Sequence, residues 1–71
     1  MIYNMHQILL TKEVAQMLRL HEEYVRELIR QGKLKAYKEG RRGGYRIARQ
    51  EIDKYVKRKH DEETRARIKR Y

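Results

Sequence analysis

Apolar residues recur at helical spacing directly after Thr11, a residue type that is favoured at helix N-caps. The spacing predicts a first helix from Lys12 to Arg19. Glu13 falls in its first turn, where a carboxylate suits the positive end of the helix dipole, and Leu10 is expected to pack beneath the helix start. The expected buried face consists of Val14, Ala15 and Leu18.

The same spacing returns after a short connection and predicts a second helix from about Glu22 to Gln31. Arg19–His21 form the connection, and Gly32 ends the second helix as a C′ glycine. Two short helices joined by a tight turn, each with an inward apolar face, predict a helix-turn-helix. The apolar positions of the second helix are Val25, Leu28 and Ile29.

Alternating residues then predict a β-hairpin, with strands at Leu34–Lys38 and Tyr45–Ala48 on either side of a glycine-rich turn at 39–44. A six-residue turn is longer than a minimal hairpin loop, so a mobile tip is expected. In the predicted pattern Leu34 shares a face with Ala36, Tyr45 shares a face with Ile47, and Arg46 points away from them.

A third helix is predicted at 50–58, where Ile52, Tyr55 and Val56 would close the core against the first two helices. The apolar pattern ends at His60, and three acids then precede four bases, an order that favours helical pairing. This final segment is therefore expected either to continue the helix in solvent or to fray. The predicted division is a domain at 8–58 and a charged C-terminal extension at 59–71.

The predicted fold class is α+β, a small winged helix-turn-helix with two short helices, a hairpin wing and a C-terminal helix. A chain of 71 residues forms one domain at most. It has no cysteine, and its three histidines are scattered, so neither a metal site nor a cofactor is predicted. We find no apolar run long enough for a membrane span, no secretory signal and no small-molecule site. A cytoplasmic protein is expected.

Catalysis is not expected either. The acidic pairs at 22–23 and 62–63 are adjacent residues whose side chains diverge on a helix. A recombinase-type tyrosine nucleophile would need histidine and arginine partners, and no such constellation surrounds the tyrosines in sequence. The residues therefore point to a binding protein rather than an enzyme.

Positive charge is concentrated in the predicted hairpin. Seven basic residues and one acid between Lys33 and Arg49 give a local charge of +6, against +9 for the whole chain. One-signed charge at a glycine-rich tip is typical of a wing that grips a nucleic-acid backbone. The alternative is a solvated surface hairpin.

Four segments, Ile8–Leu18, Tyr24–Ala36, Gly44–Ile47 and Glu51–Tyr55, together resemble the excisionase/MerR-like winged helix-turn-helix DNA-binding family. The resemblance covers about residues 8 to 58. Its most specific parts are the Leu-Thr-x-x-Val-Ala opening and the Val-x-x-Leu-Ile-x-x-Gly-x-Leu-x-Ala step. It implies that the second helix enters the major groove and that the wing meets the flanking backbone or minor groove.

Three positions depart from the family pattern. Arg19 stands where the family usually has glycine, so a residue with a side chain is expected in a left-handed conformation. His21 replaces the usual serine or threonine cap of the recognition helix, and Ala48 replaces the polar cap of the third helix. These departures bear on docking geometry rather than on the fold.

The exposed face of the second helix is the predicted base-reading surface. Its charges are mixed, and arginine can bind guanine while glutamate can accept from cytosine. In the excisionases that the chain resembles, an acid at the place of Glu23 and arginines at the places of Arg26 and Arg30 contact DNA. The alternative is a salt-bridged solvated face. The predicted set is Glu22, Glu23, Arg26, Glu27 and Arg30.

A second set is predicted to contact the DNA backbone. The two tyrosines in it have an alternative, which is to cover the edge of the core. The set consists of Tyr24, Lys33, Lys35, Lys38, Arg41, Arg42, Tyr45 and Arg46.

The C-terminal bases Arg65, Arg67, Lys69 and Arg70 are predicted to form a partner-contact tail, with a phosphate anchor as the alternative. The expected partner is double-stranded DNA, together with a recombinase (integrase) or neighbouring copies of the same protein. A recombination directionality factor that bends DNA is the leading hypothesis. A small MerR-like transcriptional regulator is the alternative, and a basic RNA- or membrane-binding adaptor is a remoter one.

Overall fold

A computed structural model describes residues 7–40 and 43–68 of the chain, and of the side chains it describes all within those ranges except residues 67 and 68. In this part of the chain, three helices and a three-stranded antiparallel sheet confirm the α+β class. The strand order in the sheet is β1-β3-β2. In chain order the elements are β1 (Ile8–Leu10), α1 (Thr11–Leu18), α2 (Glu22–Arg30), β2 (Tyr37–Lys38), β3 (Tyr45–Ala48) and α3 (Arg49–Ile68).

The start of α1 differs from the prediction. Leu10 is the N-cap residue, and its backbone N–H donates to the Glu13 carboxylate (N···Oε1 2.9 Å). Thr11 is instead a buried residue of the first turn. The start of the helix is therefore stabilised by a carboxylate that accepts from the N-cap N–H, and not by a Thr11 hydroxyl at the N-cap position. Leu10 is 43% exposed and does not pack beneath the helix, because Leu9 takes the inward position of β1.

The turn between α1 and α2 has the predicted left-handed residue. Arg19 has φ 57° and ψ 45°. Its N–H donates to the Gln16 carbonyl (3.3 Å), and the N–H of Leu20 donates to the Ala15 carbonyl (2.8 Å), which closes the end of α1. A residue with a Cβ in this conformation destabilises the fold by about 1–2 kcal/mol. The left-handed conformation lets the chain reverse direction within three residues.

The second helix has no side-chain cap at its start and a glycine at its end. His21, the N-cap residue, makes no capping hydrogen bond with its side chain, as expected for histidine. Gly32 has φ 76°, and the N–H of Lys33 donates to the Leu28 carbonyl (2.9 Å), so α2 ends in the predicted left-handed turn. Both ends of α2 are thus held by backbone hydrogen bonds, from Val25 to His21 at its start and from Lys33 to Leu28 at its end.

Strand β1 was not predicted. It pairs with β3 through Ile8↔Ala48, Leu9↔Ile47 and Leu10↔Arg46. The backbone N–H of Arg49 extends this ladder by donating to the Gln7 carbonyl (2.8 Å), so the start of α3 is anchored to the sheet. The hairpin therefore becomes part of a three-stranded sheet, with β3 in the middle and β2 at one edge.

Strand β2 is shorter than predicted, with only Tyr37 and Lys38 in it. Leu34 lies outside the strand because its backbone N–H donates to the Leu28 carbonyl (3.2 Å) at the end of α2. The chain thus enters the sheet only after it has left the helix terminus. In the sheet, Tyr37 pairs with Arg46 and Lys38 pairs with Tyr45.

The core is a single cluster between the helices and one face of the sheet. Most predicted apolar positions are in it, but Val56 is 44% exposed and the prediction that it closes the core is wrong. Helix α3 contacts the core through Ile52 and Tyr55, and Val56 lies to one side of that narrow stripe. The buried residues are Leu9, Val14, Ala15, Val25, Leu28, Leu34, Ile47, Ile52 and Tyr55.

Helix α3 has 20 residues and continues without a break past residue 58. From Lys57 to Ala66 its side chains are exposed. Of the two outcomes expected for the final segment, the described residues follow the first, which is a solvated helical extension. The helix is therefore a core element in its first turns and a projecting arm beyond them.

Replacing Arg19 with glycine is expected to stabilise the fold. Glycine removes the left-handed penalty but adds backbone freedom to the unfolded chain, so a net gain of about 0.5–1 kcal/mol in the free energy of unfolding is expected. Arg19→Val, with a β-branched side chain, should lower that free energy. Urea unfolding followed by circular dichroism measures both. A glycine variant no more stable than the valine variant would contradict the strain.

Candidate nucleic-acid interface

The five residues predicted for base reading form one ion-pair network on the exposed side of α2. Burial of Val25 and Leu28 turns that helix so that the charged residues face solvent. Arg26 pairs with Glu22 (3.0 Å) and Glu23 (3.1 Å). Arg30 pairs with Glu23 (3.1 Å) and Glu27 (2.9 Å). Glu23 thus joins the two arginines, and the network runs along the whole helix.

The network stabilises the charged forms of Glu23 and Arg30. Hydrogen bonds from Arg30 and then from Arg26 lower the pKa of the Glu23 carboxyl below its ordinary value. Hydrogen bonds to Glu27 and Glu23 raise the pKa of the Arg30 guanidinium. Three carboxylates and two guanidinium groups give the surface a net charge of −1 at neutral pH. A surface with that charge does not attract DNA by itself.

The same pairs leave the arginines available for exchange. The side chain of Arg26 is 38% exposed and that of Arg30 is 49% exposed. Exposed ion pairs contribute only about 0–1 kcal/mol each, so a guanine edge can replace a glutamate partner at small cost. The geometry therefore fits both the salt-bridged face and the reading surface that the sequence left open.

The two tyrosines of the backbone-contact set differ in their surroundings. Tyr45 is half-buried against the core, and Lys38 lies over its ring with Nζ 5.3 Å from the centroid. Tyr45 thus covers the edge of the core, one of its two predicted roles. Tyr24 is 46% exposed on the flank of α2.

The predicted backbone cations are spread over several elements. Lys33, Lys35 and Lys38 are exposed after α2. Arg46 is half-buried in the middle strand, and its buried Nε has no hydrogen-bond partner among residues 7–40 and 43–68. Arg41 and Arg42, the predicted wing tip, lie outside the described residues.

The tail residues are described only in part. Arg65 is exposed on α3, and the Thr64 hydroxyl donates to the His60 carbonyl one turn earlier (3.0 Å). Arg67 belongs to the helix, but its side chain is not among those described, and Lys69 and Arg70 lie outside the described residues. The predicted tail contact therefore stays a prediction.

A cleft between α2 and α3 was missed by the sequence analysis. The Arg58 guanidinium donates to the Lys33 carbonyl and ties α3 to the end of α2. Burial raises the pKa of the Tyr55 phenol at the bottom of this cleft, with Tyr24 acting in the same direction. No local signal could have revealed it, because Lys33 and Arg58 are 25 residues apart. Among the residues that line the cleft are Tyr24, Lys33, Tyr55, Arg58, Lys59 and Glu62.

The described residues contain neither a cluster of metal ligands nor a helix suited to a membrane. Within residues 7–40 and 43–68, no three His, Cys, Asp or Glu residues come together as a metal site would require. In the same part of the chain no helix combines the length and the apolar character that crossing a membrane requires.

Comparison with protein families gives one finding. Residues 9–60 match the family model described as a helix-turn-helix domain, which covers most of the chain and spans α1, α2, the sheet and the start of the α3 arm. Comparison with curated proteins gave no match, and comparison with solved structures gave none either.

Proposed function

Because the chain belongs to the helix-turn-helix domain family and shares its DNA-binding role, we propose that it is a sequence-preferring protein of mobile-element type. In this proposal it binds double-stranded DNA near recombination sites, bends it and assists a recombinase. The observation that carries the proposal is the exposed face of α2, where two arginines are held by exchangeable carboxylates. A surface built only for phosphates would be uniformly basic.

In the proposed complex α2 lies in the major groove, with Glu22, Glu23, Arg26, Glu27 and Arg30 towards the bases. Arginine donates to guanine O6 and N7, and glutamate accepts from cytosine N4. The hairpin cations Lys38, Arg41 and Arg42 meet the flanking backbone. Affinity then comes from phosphate contacts, and preference comes from the helix.

Selection from random duplexes tests the sequence preference. A footprint on the DNA that flanks the gene tests where the binding sites lie. An enriched motif, with bending measured by circular permutation of the site, is the expected result. Binding without any enriched motif would reject the sequence-preferring part. An enriched motif next to promoters, with no bending and no response of a neighbouring recombinase, would favour the transcriptional regulator.

Arg26→Ala and Arg30→Ala are expected to reduce discrimination between the selected site and random DNA. Each should cost about 1–3 kcal/mol on the selected site and much less on random DNA. Fluorescence anisotropy with both duplexes measures this difference. The matched control is Lys54→Ala, which removes one positive charge from α3. Equal losses on both duplexes would assign the arginines to phosphate contact.

Glu23→Gln is expected to act in a different way. Loss of the shared carboxylate leaves Arg26 and Arg30 with one partner each and changes the network charge from −1 to 0. Binding to random DNA should therefore become tighter, and the ratio of specific to random affinity should fall. Glu13→Gln, which removes one charge from α1, is the control. Unchanged random binding would show that the network does not restrain the arginines.

Removing residues 60–71 tests the tail as a protein contact. Every core residue precedes this segment, so the remaining domain should stay folded, with a far-ultraviolet circular dichroism spectrum typical of an α+β protein. The removed piece has four bases and three acids, a net charge of +1, and is a poor phosphate anchor. Affinity for one isolated site should stay within a few-fold. Cooperativity on adjacent sites, or recruitment of the recombinase, should be lost.

Gel-shift titrations on one-site and multi-site DNA separate the two roles of the tail. Loss of one-site affinity with cooperativity retained would contradict the protein contact and favour the phosphate anchor.

A further inference from the structure

The cleft between α2 and α3 has the charge of an anion site. Three cations, Lys33, Arg58 and Lys59, and one carboxylate, Glu62, lie around it. The local charge is therefore +2, whereas the exposed network of α2 has −1. The cleft has a volume of about 250 Å³, and since water occupies about 30 Å³, a phosphate group has room there.

One of the three cations is held in place by the protein itself. Arg58 is held by its hydrogen bond to the Lys33 carbonyl. A guanidinium has five N–H donors, so most of them remain for another acceptor. The buried Tyr55 and the half-exposed Tyr24 also line the cleft.

Its position follows from the helix geometry. Tyr24 directly follows Glu23, so the cleft begins at the flank of the reading surface. A helix with its side chains is about 10–12 Å across, and the major groove is about 12 Å wide. A helix in the groove therefore presses its flanks against the two phosphate strands. Cations beside one flank of α2 come where one strand passes.

We propose that the cleft formed by Lys33, Arg58 and Lys59 beside Tyr24 binds a backbone phosphate of the duplex whose bases α2 reads. The proposal rests on the proposed function and adds to it two cations of α3, Arg58 and Lys59, beside Tyr24 and Lys33, which were already predicted to contact the backbone. Glu62 acts against the site and moderates its affinity. The charge that the reading surface lacks is thereby supplied immediately next to it.

Lys59→Ala tests the site, with Lys57→Ala as the matched control from the same helix and with the same loss of charge. Lys57 is two residues away and does not line the cleft. Binding is measured by anisotropy at several salt concentrations, on selected and on random duplexes. For Lys59→Ala the slope of log K against log salt should fall by about 0.9, with the same fold loss on both duplexes. For Lys57→Ala the slope should stay unchanged.

Glu62→Gln supplies a test in the opposite direction, with Glu63→Gln, the next residue, as its control. Removing the carboxylate from the cleft should tighten binding to both duplexes more than the control does. Circular dichroism confirms that each variant is folded. Equal effects of Lys59→Ala and Lys57→Ala, or of Glu62→Gln and Glu63→Gln, would overturn the phosphate site. If the wild type binds no duplex, the proposed function itself fails. Failure of the phosphate site alone would instead leave duplex binding intact, with equal effects of each variant and its control.

Discussion

The antiparallel pairing of β3 with both β1 and β2 places Ile47 at the centre of the core, where it is fully buried. The other elements are arranged around that side chain. Leu9 is its partner across the ladder, and α3 begins directly after β3 with its first N–H bonded to Gln7. Within residues 7–40 and 43–66 only nine apolar side chains are buried in the core cluster, so one central strand must orient the elements on both sides of it.

That constraint explains how the candidate interface is assembled. The pairing of β3 fixes the direction of α3, and the bond from Arg58 to the Lys33 carbonyl then fixes α3 against the end of α2. The network of negative net charge and the cleft of positive charge are consequently held side by side. In the proposed complex, specificity and affinity come from different elements, so a change of sequence in one can leave the other intact.

Much of the helix-turn-helix could be predicted, because its signals are local. The spacing of Val25 and Leu28 predicted the buried face of α2. The left-handed residues that follow α1 and α2 were predicted at Arg19 and Gly32. The parts that were missed depend on residues far apart in sequence. A three-residue strand such as β1 has no period of its own, and only its pairing with β3 identifies it.

Two further outcomes could not be predicted from helical spacing alone, one in the core and one on the surface of α2. Val56 has the right helical spacing for the core, yet it is exposed because α3 contacts the core through a narrow stripe at Ile52 and Tyr55. The charges of α2 were predicted as a set. The ion pairs that join Arg26 and Arg30 through Glu23 could not be predicted. Opposite-charge and like-charge pairs both occur at helical spacing in α2, and the side-chain rotamers decide which of them form.

The exposed half of α3 shows how a segment without a core can still be helical. Its residues are mostly good helix formers, and Asp61, Glu62 and Glu63 precede the bases, in the order that suits the helix dipole. Because burial contributes little there, the stability of this arm comes from propensity, from charge order and from its continuity with the anchored first turns. An arm of this kind keeps Asp61, Glu62, Glu63 and Arg65 accessible. It therefore extends the surface of the domain beyond the reach of α2 without adding to the core.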